Sequence, residues 1–450
     1  MNHPQDTIAA IATAAGRGGI GIIRISGPQT SQIGEQLLGS QIPVRQASLK
    51  SFKQQDGSSI DSGLALFFQS PASYTGEDTL ELQGHGGPVV LDMVLKRVLS
   101  LGARLAEPGE FTQRAFLNNK IDLAQAEAVA DIIDAGTTAA AMSAQQSLQG
   151  EFSNKINNLQ QQLTHLRLYV ESAIDFSDED IDFLAGDELK KIIKELQLTF
   201  KKVTDTAKQG RLLREGMTVV LAGKPNAGKS SLLNALSQQD TAIVTDIAGT
   251  TRDILKEQIQ IDGMPVHIID TAGLRETTDP IEMEGVKRAK KAIASADIVL
   301  FIVDDRDNKN NDYAISIREI PQEIPTTVVI NKIDLTGNKA GIRTNDQKTE
   351  IRLSVKKEQG IDLLTEHLKK QVGFDSEEKN VFLARRRHID ALKRSEVLLN
   401  TGLEQLLSYQ AGELFAEDLR LAQQALSEIT GKMTPDDLLG EIFSSFCIGK

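Results

Sequence analysis

Short apolar runs separated by glycine- and proline-bearing turns open the chain. Residues 20–26 and 64–69 are two such runs, and their texture predicts a compact α+β unit over residues 1–118. From about 119 to 213 the spacing changes. Apolar positions recur three and four apart, as in Leu159, Leu163, Leu166 and Val170, which predicts helices. An acidic stretch at 175–182 interrupts that pattern. Between 216 and about 373, β-like runs alternate with helical segments, the βαβ signature of a parallel sheet. Helical periodicity returns after Glu377, with Leu392, Val397, Leu398 and Leu403. The expected organisation is therefore multidomain. An α+β domain spans 1–118, and one all-α domain is split between 119–213 and 376–450. An α/β domain, 214–375, is inserted between its halves.

Composition narrows this picture. A chain of 450 residues has room for two or three separate cores. Tryptophan is absent and aromatics are 4 %, so those cores must be built from Ile, Leu, Val and Ala. The single cysteine, Cys447, excludes an internal disulfide and fits a reducing compartment. Cys447 to Lys450 matches a prenylation box only superficially, because Gly449 and Lys450 fit it badly. Asp6, Arg17 and Arg24 interrupt the apolar N-terminus, which is unlike a signal peptide. No run of about 20 apolar residues is present, so no membrane contact is expected and the reading is cytoplasmic. A net charge of −12 argues against bulk coating of nucleic acid. Two basic clusters, residues 385–388 and 287–291, read first as solvated helix faces.

The insert carries the chemistry. Residues 217–222 form an apolar run that leads into Gly223-Lys224-Pro225-Asn226-Ala227-Gly228-Lys229-Ser230, followed by a helical pattern from Ser231. Strand, glycine loop and helix in that order make a phosphate-binding loop. The glycines let backbone N–H groups converge on phosphate, and the helix start adds its dipole. Lys229 would reach the β- and γ-phosphates, and Ser230 would hold Mg2+. Asp270-Thr271-Ala272-Gly273 ends the next apolar run. Asp270 can reach Mg2+ through water, and the Gly273 N–H can sense the γ-phosphate.

Asn331-Lys332-Ile333-Asp334 ends a further run at 326–330. The Asp334 carboxylate can accept both N1–H and N2–H2 of guanine, a donor pair that adenine lacks. Ser354-Val355-Lys356 is placed for a backbone N–H to meet guanine O6. Between the phosphate loop and Asp270 lies Asp246-Ile247-Ala248-Gly249-Thr250-Thr251-Arg252-Asp253, where Thr251, or the adjacent Thr250, would complete the Mg2+ shell and order with the γ-phosphate. The residue after Gly273 is Leu274, which cannot orient a water as the glutamine of Ras-like switches does. Glu276, Glu282 and Glu284 are the nearest downstream carboxylates, and chemistry alone does not choose among them.

Local signatures along the whole chain resemble the MnmE (TrmE) family. They include Gly16-Arg17-Gly18-Gly19-Ile20-Gly21, Tyr74-Thr75-Gly76-Glu77-Asp78, Gly84-His85-Gly86-Gly87 and Pro108-Gly109-Glu110-Phe111-Thr112. Arg114-Ala115-Phe116-Leu117-Asn118, Lys120-Ile121-Asp122-Leu123, Gly249 to Asp253 and Phe446 to Lys450 continue the match. The resemblance implies an N-terminal folate-binding and dimer-forming domain, a discontinuous helical domain and an inserted Ras-like P-loop G domain. It implies a homodimer acting on tRNA with a flavoprotein partner, MnmG, as a heterotetramer. Together they would install an aminomethyl or carboxymethylaminomethyl group at C5 of the wobble uridine. A tetrahydrofolate derivative, 5-formyl or 5,10-methylene, would supply the carbon. FAD and NADH on the partner would serve the redox steps, and ammonium or glycine would give nitrogen.

Residue by residue, the resemblance makes Asn226 a K+ ligand, with Thr245, Ile247 and Thr250 completing the ion's shell. K+ would stand where an arginine finger otherwise acts. Glu282 matches the family's catalytic glutamate and would offset Leu274. Folate contacts fall on Arg24, Glu81, Lys120 and Lys450, and Cys447 matches the family's C-terminal cysteine, a catalytic candidate. Read alone, Arg24 in an apolar run is an ordinary paired arginine, and His85 has no assigned role. The Ser-Val-Lys order at 354–356 departs from the commoner Ser-Ala without affecting a backbone contact. Rival readings are an RNA-linked GTPase, a scaffold that only binds nucleotide, and a transferase acting alone. The sequence shows no Gly-x-x-Gly loop in a basic context for the first, and no strand followed by Gly-x-Gly-x-x-Gly for the last.

Overall fold

The computed structural model describes residues 6–175, 186–239, 256–270, 296–310, 320–321, 324–345, 348–377, 381–432 and 436–449. Strands β1 (Ile8–Ile11), β2 (Gly21–Ser26), β3 (Ser48–Lys53), β4 (Ser59–Phe68), β5 (Thr79–Gly84) and β6 (Arg104–Leu105) form one sheet, in the order β3-β4-β5-β2-β1-β6. Alternation along each strand sorts its side chains between two faces. Ile23, Ile25, Leu80 and Leu82 bury against α1 (Thr30–Leu38) and α2 (Pro88–Ser100) through Ile33, Leu37, Val94 and Val98. Arg24 and Glu81 take the intervening positions, opposite each other in the antiparallel β2–β5 register.

Helices α3 (Glu110–Leu117) and α4 (Leu123–Asp134) follow. Asp122 starts α4 with a capping box: its carboxylate accepts the Gln125 N–H at 2.9 Å, and Gln125 Oε1 accepts the Asp122 N–H at 3.0 Å. Then come α5 (Thr138–Leu148), α6 (Glu151–Asp175) and α7 (Asp187–Glu215). Beyond α7 the chain enters a second sheet. It contains β7 (Met217–Gly223), β8 (Lys256–Ile261), β9 (Met264–Asp270), β10 (Ile298–Asp304), β11 (Thr326–Asn331), β12 (Gly341–Asn345) and β13 (Lys348–Arg352), with α8 (Lys229–Gln239) and α9 (Ile361–Val372). The order is β12-β13-β11-β10-β7-β9-β8. Strands β13, β11, β10, β7 and β9 pair in parallel, while β12 and β8 join the two edges antiparallel. The parallel sheet expected from the alternating pattern thus acquires a hairpin at each edge. Periodicity cannot distinguish a parallel from an antiparallel neighbour.

The chain leaves the insert into α10 (Arg386–Tyr409), α11 (Gly412–Thr430) and α12 (Asp436–Ser444). Leu159, Leu163, Leu166 and Val170 of α6 share one core with Phe200 of α7, Leu392 and Leu399 of α10, and Phe415, Leu419 and Leu426 of α11. Helices from both sides of the insert therefore close a single discontinuous all-α core. Each fully buried leucine contributes roughly 1.5–3 kcal/mol, and none of these helices could bury its stripe without the others. The final helix packs Leu439, Ile442 and Phe443 on Leu123, Ala126 and Phe116. Beyond it the tail bridges Ile448 to Pro108 of the N-terminal region.

The basic cluster at 385–388 is not a solvated face. Arg386 alone is exposed, at 83 %, while the Arg385, Arg387 and His388 side chains are 16 %, 20 % and 3 % exposed. Arg387 holds the buried Glu127 of α4 at 2.7 Å, and Arg385 holds Asp131 of the same helix at 2.8 Å. Glu127 and Asp131 lie one turn apart and stack on one face of α4. The charges of α10's start are thus consumed inside the molecule. The other cluster, 287–291, lies outside the described residues.

Candidate functional site

Two sites take shape, one in each sheet. In the insert, β7 delivers the glycine loop and α8 begins at Lys229, so the first N–H groups of an eleven-residue helix open onto the loop. Two glycines are required by close approach. A Cβ on Gly223 would lie 2.2 Å from the Ile302 carbonyl, and one on Gly228 would lie 2.2 Å from Asn331 Nδ2. Both have positive φ, and Asn226 also adopts the left-handed region at +63°. Lys229 is buried, and its ammonium donates to the loop's own carbonyls at Gly223 (2.8 Å) and Lys224 (3.1 Å). Ser230 and Ser231 are exposed at the first turn of α8.

Asn331, at the end of β11, joins three loops. Its Nδ2 donates to the Ala227 carbonyl at 3.1 Å, and its Oδ1 accepts the N–H groups of Lys332 (2.8 Å) and Val355 (3.2 Å). Lys332 donates to the Asn226 carbonyl at 2.6 Å and to Asp304 at 2.8 Å. The Ser354 hydroxyl donates to Asp334 Oδ1 at 2.6 Å, which fixes the carboxylate expected to read guanine. The Val355 N–H, expected at guanine O6, is here donated to Asn331. Lys356 is exposed beside it. Hydrogen bonds from Arg306, then from Lys332, hold the Asp304 carboxyl far below the usual carboxylate range against the opposing effect of burial. A cleft of about 160 Å3 opens beside the loop, bounded by Asn226, Asp304, Arg306 and Lys332.

Asp270 ends β9 opposite Leu221 of β7, at the loop's own level of the sheet. Thr245, Asp246, Ile247, Ala248, Gly249, Thr250, Thr251, Thr271, Ala272, Gly273, Leu274 and Glu282 lie outside the described residues, as does Lys450. The loop that would close on the γ-phosphate and the carboxylate expected to direct water are therefore not among the placed groups.

The second site centres on Arg24. Its Nε and Nη2 donate to Glu81 at 3.0 and 2.9 Å, and its Nη1 lies 3.4 Å from the Gly449 carbonyl. The guanidinium also stands 5.9 Å from the Tyr74 ring centre and 5.7 Å from that of Phe111. Lys120 donates to the Pro71 carbonyl at 3.0 Å, so the loop of residues 70–76 touches both cations. The Cys447 carbonyl accepts the Gly109 N–H at 3.3 Å, and the cysteine is exposed. Gly109 has φ +67°, and a Cβ there would meet the Phe443 carbonyl at 2.7 Å.

Sequence reasoning did not foresee Tyr74 and Phe111 beside Arg24, nor the buried charges beneath them. Arg114, 2 % exposed, donates to Asp6, Glu77 and Glu110. Glu77, Glu110 and Arg114 sit inside the quoted signatures and Asp6 outside them, and their mutual contact depends on chain segments up to 108 residues apart. Among the described residues no group of three or more His, Cys, Asp or Glu is arranged to hold a metal ion, and no helix is long and apolar enough to cross a membrane.

Residues 7–120 match the family described as GTP-binding protein TrmE N-terminus, and residues 123–447 match the MnmE helical domain. Three curated relatives carry the name tRNA modification GTPase MnmE. The one from Hydrogenovibrio crunogenus is 56 % identical over 446 residues, 99 % of either chain. That from Vibrio vulnificus is 56 % identical over 450 residues, again 99 % of either chain. That from Erwinia tasmaniensis is 55 % identical over 455 residues, the whole of both. With a phosphate loop tied through Asn331 to the loop that holds Val355 and full-length identity at this level, the chain belongs to the MnmE (TrmE) family of tRNA modification GTPases.

Proposed function

We propose that this GTPase is K+-activated and works with the flavoprotein MnmG to install an aminomethyl or carboxymethylaminomethyl group at C5 of the wobble uridine. A tetrahydrofolate derivative supplies the one-carbon unit. The observation that carries the nucleotide half is Asn331, whose single side chain holds the phosphate loop and the guanine-reading loops in one register. Gly223 and Gly228 let the loop pack directly on the Ile302 carbonyl and on Asn331, where a Cβ would collide, and the exposed Ser230 hydroxyl is the Mg2+ ligand of the described set, to be completed by Thr251. Asn226, with a left-handed backbone and an exposed side chain, is the K+ ligand, together with Thr245, Ile247 and Thr250. Mg2+ and K+ would neutralise charge on the transferring phosphoryl group. Glu282 directs water in place of Leu274, and the G domains of a homodimer meet across the nucleotides.

The folate half rests on the Arg24 site. A pterin offers N–H and amino donors suited to Glu81, while its glutamate tail suits Arg24, Lys120 and Lys450. The rings of Tyr74 and Phe111 give that site a partly apolar wall. Cys447 reaches the same neighbourhood through the docked tail. The protein would act in the cytoplasm, with FAD and NADH on the partner. Steady-state GTP hydrolysis in K+ and in Na+ buffers of equal ionic strength tests the reading. Turnover that is fast only in K+ is expected. Equal, slow turnover in both ions would favour a GTPase that needs an outside activator.

A further inference from the structure

The inserted G domain touches the helical domain through a small, well-defined set of contacts, and their placement is informative. Its incoming crossing ends α7 at Arg214, and its outgoing crossing begins α10 beside Arg385. Arg214 Nε and Arg385 Nη2 both donate to the same oxygen, Oδ1 of Asp131, each at 2.8 Å. One carboxylate on α4 therefore pins both covalent crossings. A turn and a half further along, Thr137 caps α5. Its hydroxyl accepts the Ala140 N–H at 3.1 Å and donates its proton to the Gly263 carbonyl at 2.9 Å. Gly263 and Asp262 form the two-residue turn of the β8–β9 hairpin, both with positive φ.

The approach there is tight. A Cβ on Gly263 would lie 2.8 Å from the Cβ of Ala139, and a Cβ on Gly136 would lie 2.7 Å from Gln258 Nε2. Lys369 of α9 holds Asp262 at 2.6 Å from the G-domain side, so the turn is anchored on its own domain as well. Between pivot and tip the two domains enclose a cleft of about 260 Å3 bordered by Asp134, Arg214, Gln258 and His267. The interface is thus held at the arginines and at the hairpin tip, and between them His267 Nε2 lies 3.1 Å from the Glu215 carbonyl at the end of α7.

The hairpin's far end is the nucleotide site. Strand β9 is hydrogen-bonded on one side to β7, which feeds the phosphate loop, and on the other to β8, which follows the 246–253 loop in the chain. It terminates at Asp270, about 20 Å from the tip at the usual rise of a strand. Hydrogen bonding to a neighbour on each side makes β9 one stiff element that joins Asp270 to the turn at Gly263.

We propose that the β8–β9 hairpin is a lever. It carries the state of the nucleotide from Asp270 to the helical domain through the Gly263–Thr137 contact, with Asp131 and its two arginines as the pivot. Residues Thr137, Ala139 and Asp131 are positioning residues of this coupling and take no part in hydrolysis.

Hydrogen exchange of the full-length protein, saturated with GDP or with a non-hydrolysable GTP analogue, tests this. In the parent protein the amides of α5 exchange at rates differing by about fivefold or more between the two states. Thr137→Val and Gly263→Ala each abolish that difference while nucleotide affinity and GTP turnover stay within about twofold of the parent. Thr137→Ser, which keeps the hydroxyl, retains the difference. Loss of the helix cap alone would raise α5 exchange equally in both states, so the difference between states separates coupling from stability. A parent protein with no difference between states overturns the lever, as does a difference that survives in both Thr137→Val and Gly263→Ala.

Discussion

The nucleotide site and the Arg24 site are built on opposite plans. At the first, the groups that would face ligand are mostly backbone, held by loops that each follow directly from a strand end: Gly223 after β7, Asp270 at the end of β9, Asn331 at the end of β11. Position in the chain nearly determines position in space, because a parallel sheet collects the C-terminal ends of its strands at one edge. At the second, the groups are side chains from β2, β5, the 70–76 loop, α3 and the C-terminal tail. Arg24 and the Gly449 carbonyl are 425 positions apart. The contrast teaches that a site made by backbone at strand ends is local information repeated, whereas a site made by side chains is a property of topology.

The sharpest way to break the first plan is Lys229→Ala. It removes the buried ammonium, held here by the Gly223 and Lys224 carbonyls, that is expected to meet the β- and γ-phosphates; each charge-assisted contact is worth about 1.5–3 kcal/mol, so nucleotide affinity should fall ~100-fold or more in a titration with a fluorescent GTP analogue. Folate binding measured on the same variant should be unchanged, since no element is shared by the two sites. Asp334→Asn comes next. It replaces an acceptor facing guanine N1–H with a mixed donor and acceptor, and GTP should weaken by about 30-fold while xanthosine triphosphate gains. A parallel loss of both nucleotides would show that Asp334 supports the loop through Ser354 rather than reading the base.

Arg24→Ala probes the second plan. Tetrahydrofolate binding measured by calorimetry should fall about tenfold, the cost of one charge-assisted contact, with GTP turnover in K+ retained. Removing residues 447–450 should produce a loss of the same kind, because the tail supplies the carbonyl at Arg24 and the final lysine. An unaffected folate affinity in both variants would move the folate site away from the tail.

The smallest effect concerns neither site but the joint between them. His388 is buried, its Nδ1 accepts the Arg385 N–H at 3.0 Å, and its Nε2 lies 2.8 Å from Glu127. Burial, with the help of Arg387, lowers its pKa from 6.5 to about 4. The unfolded chain therefore takes up a proton below pH 6.5 that the folded one refuses until about pH 4. Stability drawn from neutral His388 is complete above 6.5 and declines as pH falls through that window, by about 1 kcal/mol over the first unit. Glu127, whose carboxyl is held low by His388 and Arg387 against its burial, pushes in the same direction. Urea melts at pH 6.5 and 5.5 would show the decline in the parent protein, and a His388→Gln variant should flatten it.

Much of the fold was legible in the residues. Leu159, Leu163, Leu166 and Val170, three and four apart, make a helix stripe anywhere, and the strand-loop-helix order at 217–236 admits few alternatives. The phosphate-loop order was legible for the same reason, and folding ties Asn331 to that loop and Ser354 to Asp334. What misled was charge. Residues 385–388 read as a solvated basic face, since nothing in that stretch reveals that Glu127 and Asp131, more than 250 positions earlier, arrive on one face of α4 to meet it. The role of Glu77, Glu110 and Arg114 was hidden similarly. The signatures containing them stand out as motifs, yet their work is a buried ion network whose members are joined only by folding.

By itself, then, the sequence determined the classes of element, the existence of an insert, the phosphate loop and its preference for guanine. Each of these depends on contacts within a few residues or on the fixed period of a helix or strand. The tertiary structure alone decided which helices of the expected split domain meet in one core and that the C-terminal tail docks beside Arg24. It also decided that one aspartate holds both crossings of the G domain. These are encounters between segments hundreds of residues apart, and their free energy comes from burial and charge pairing that no single segment contains.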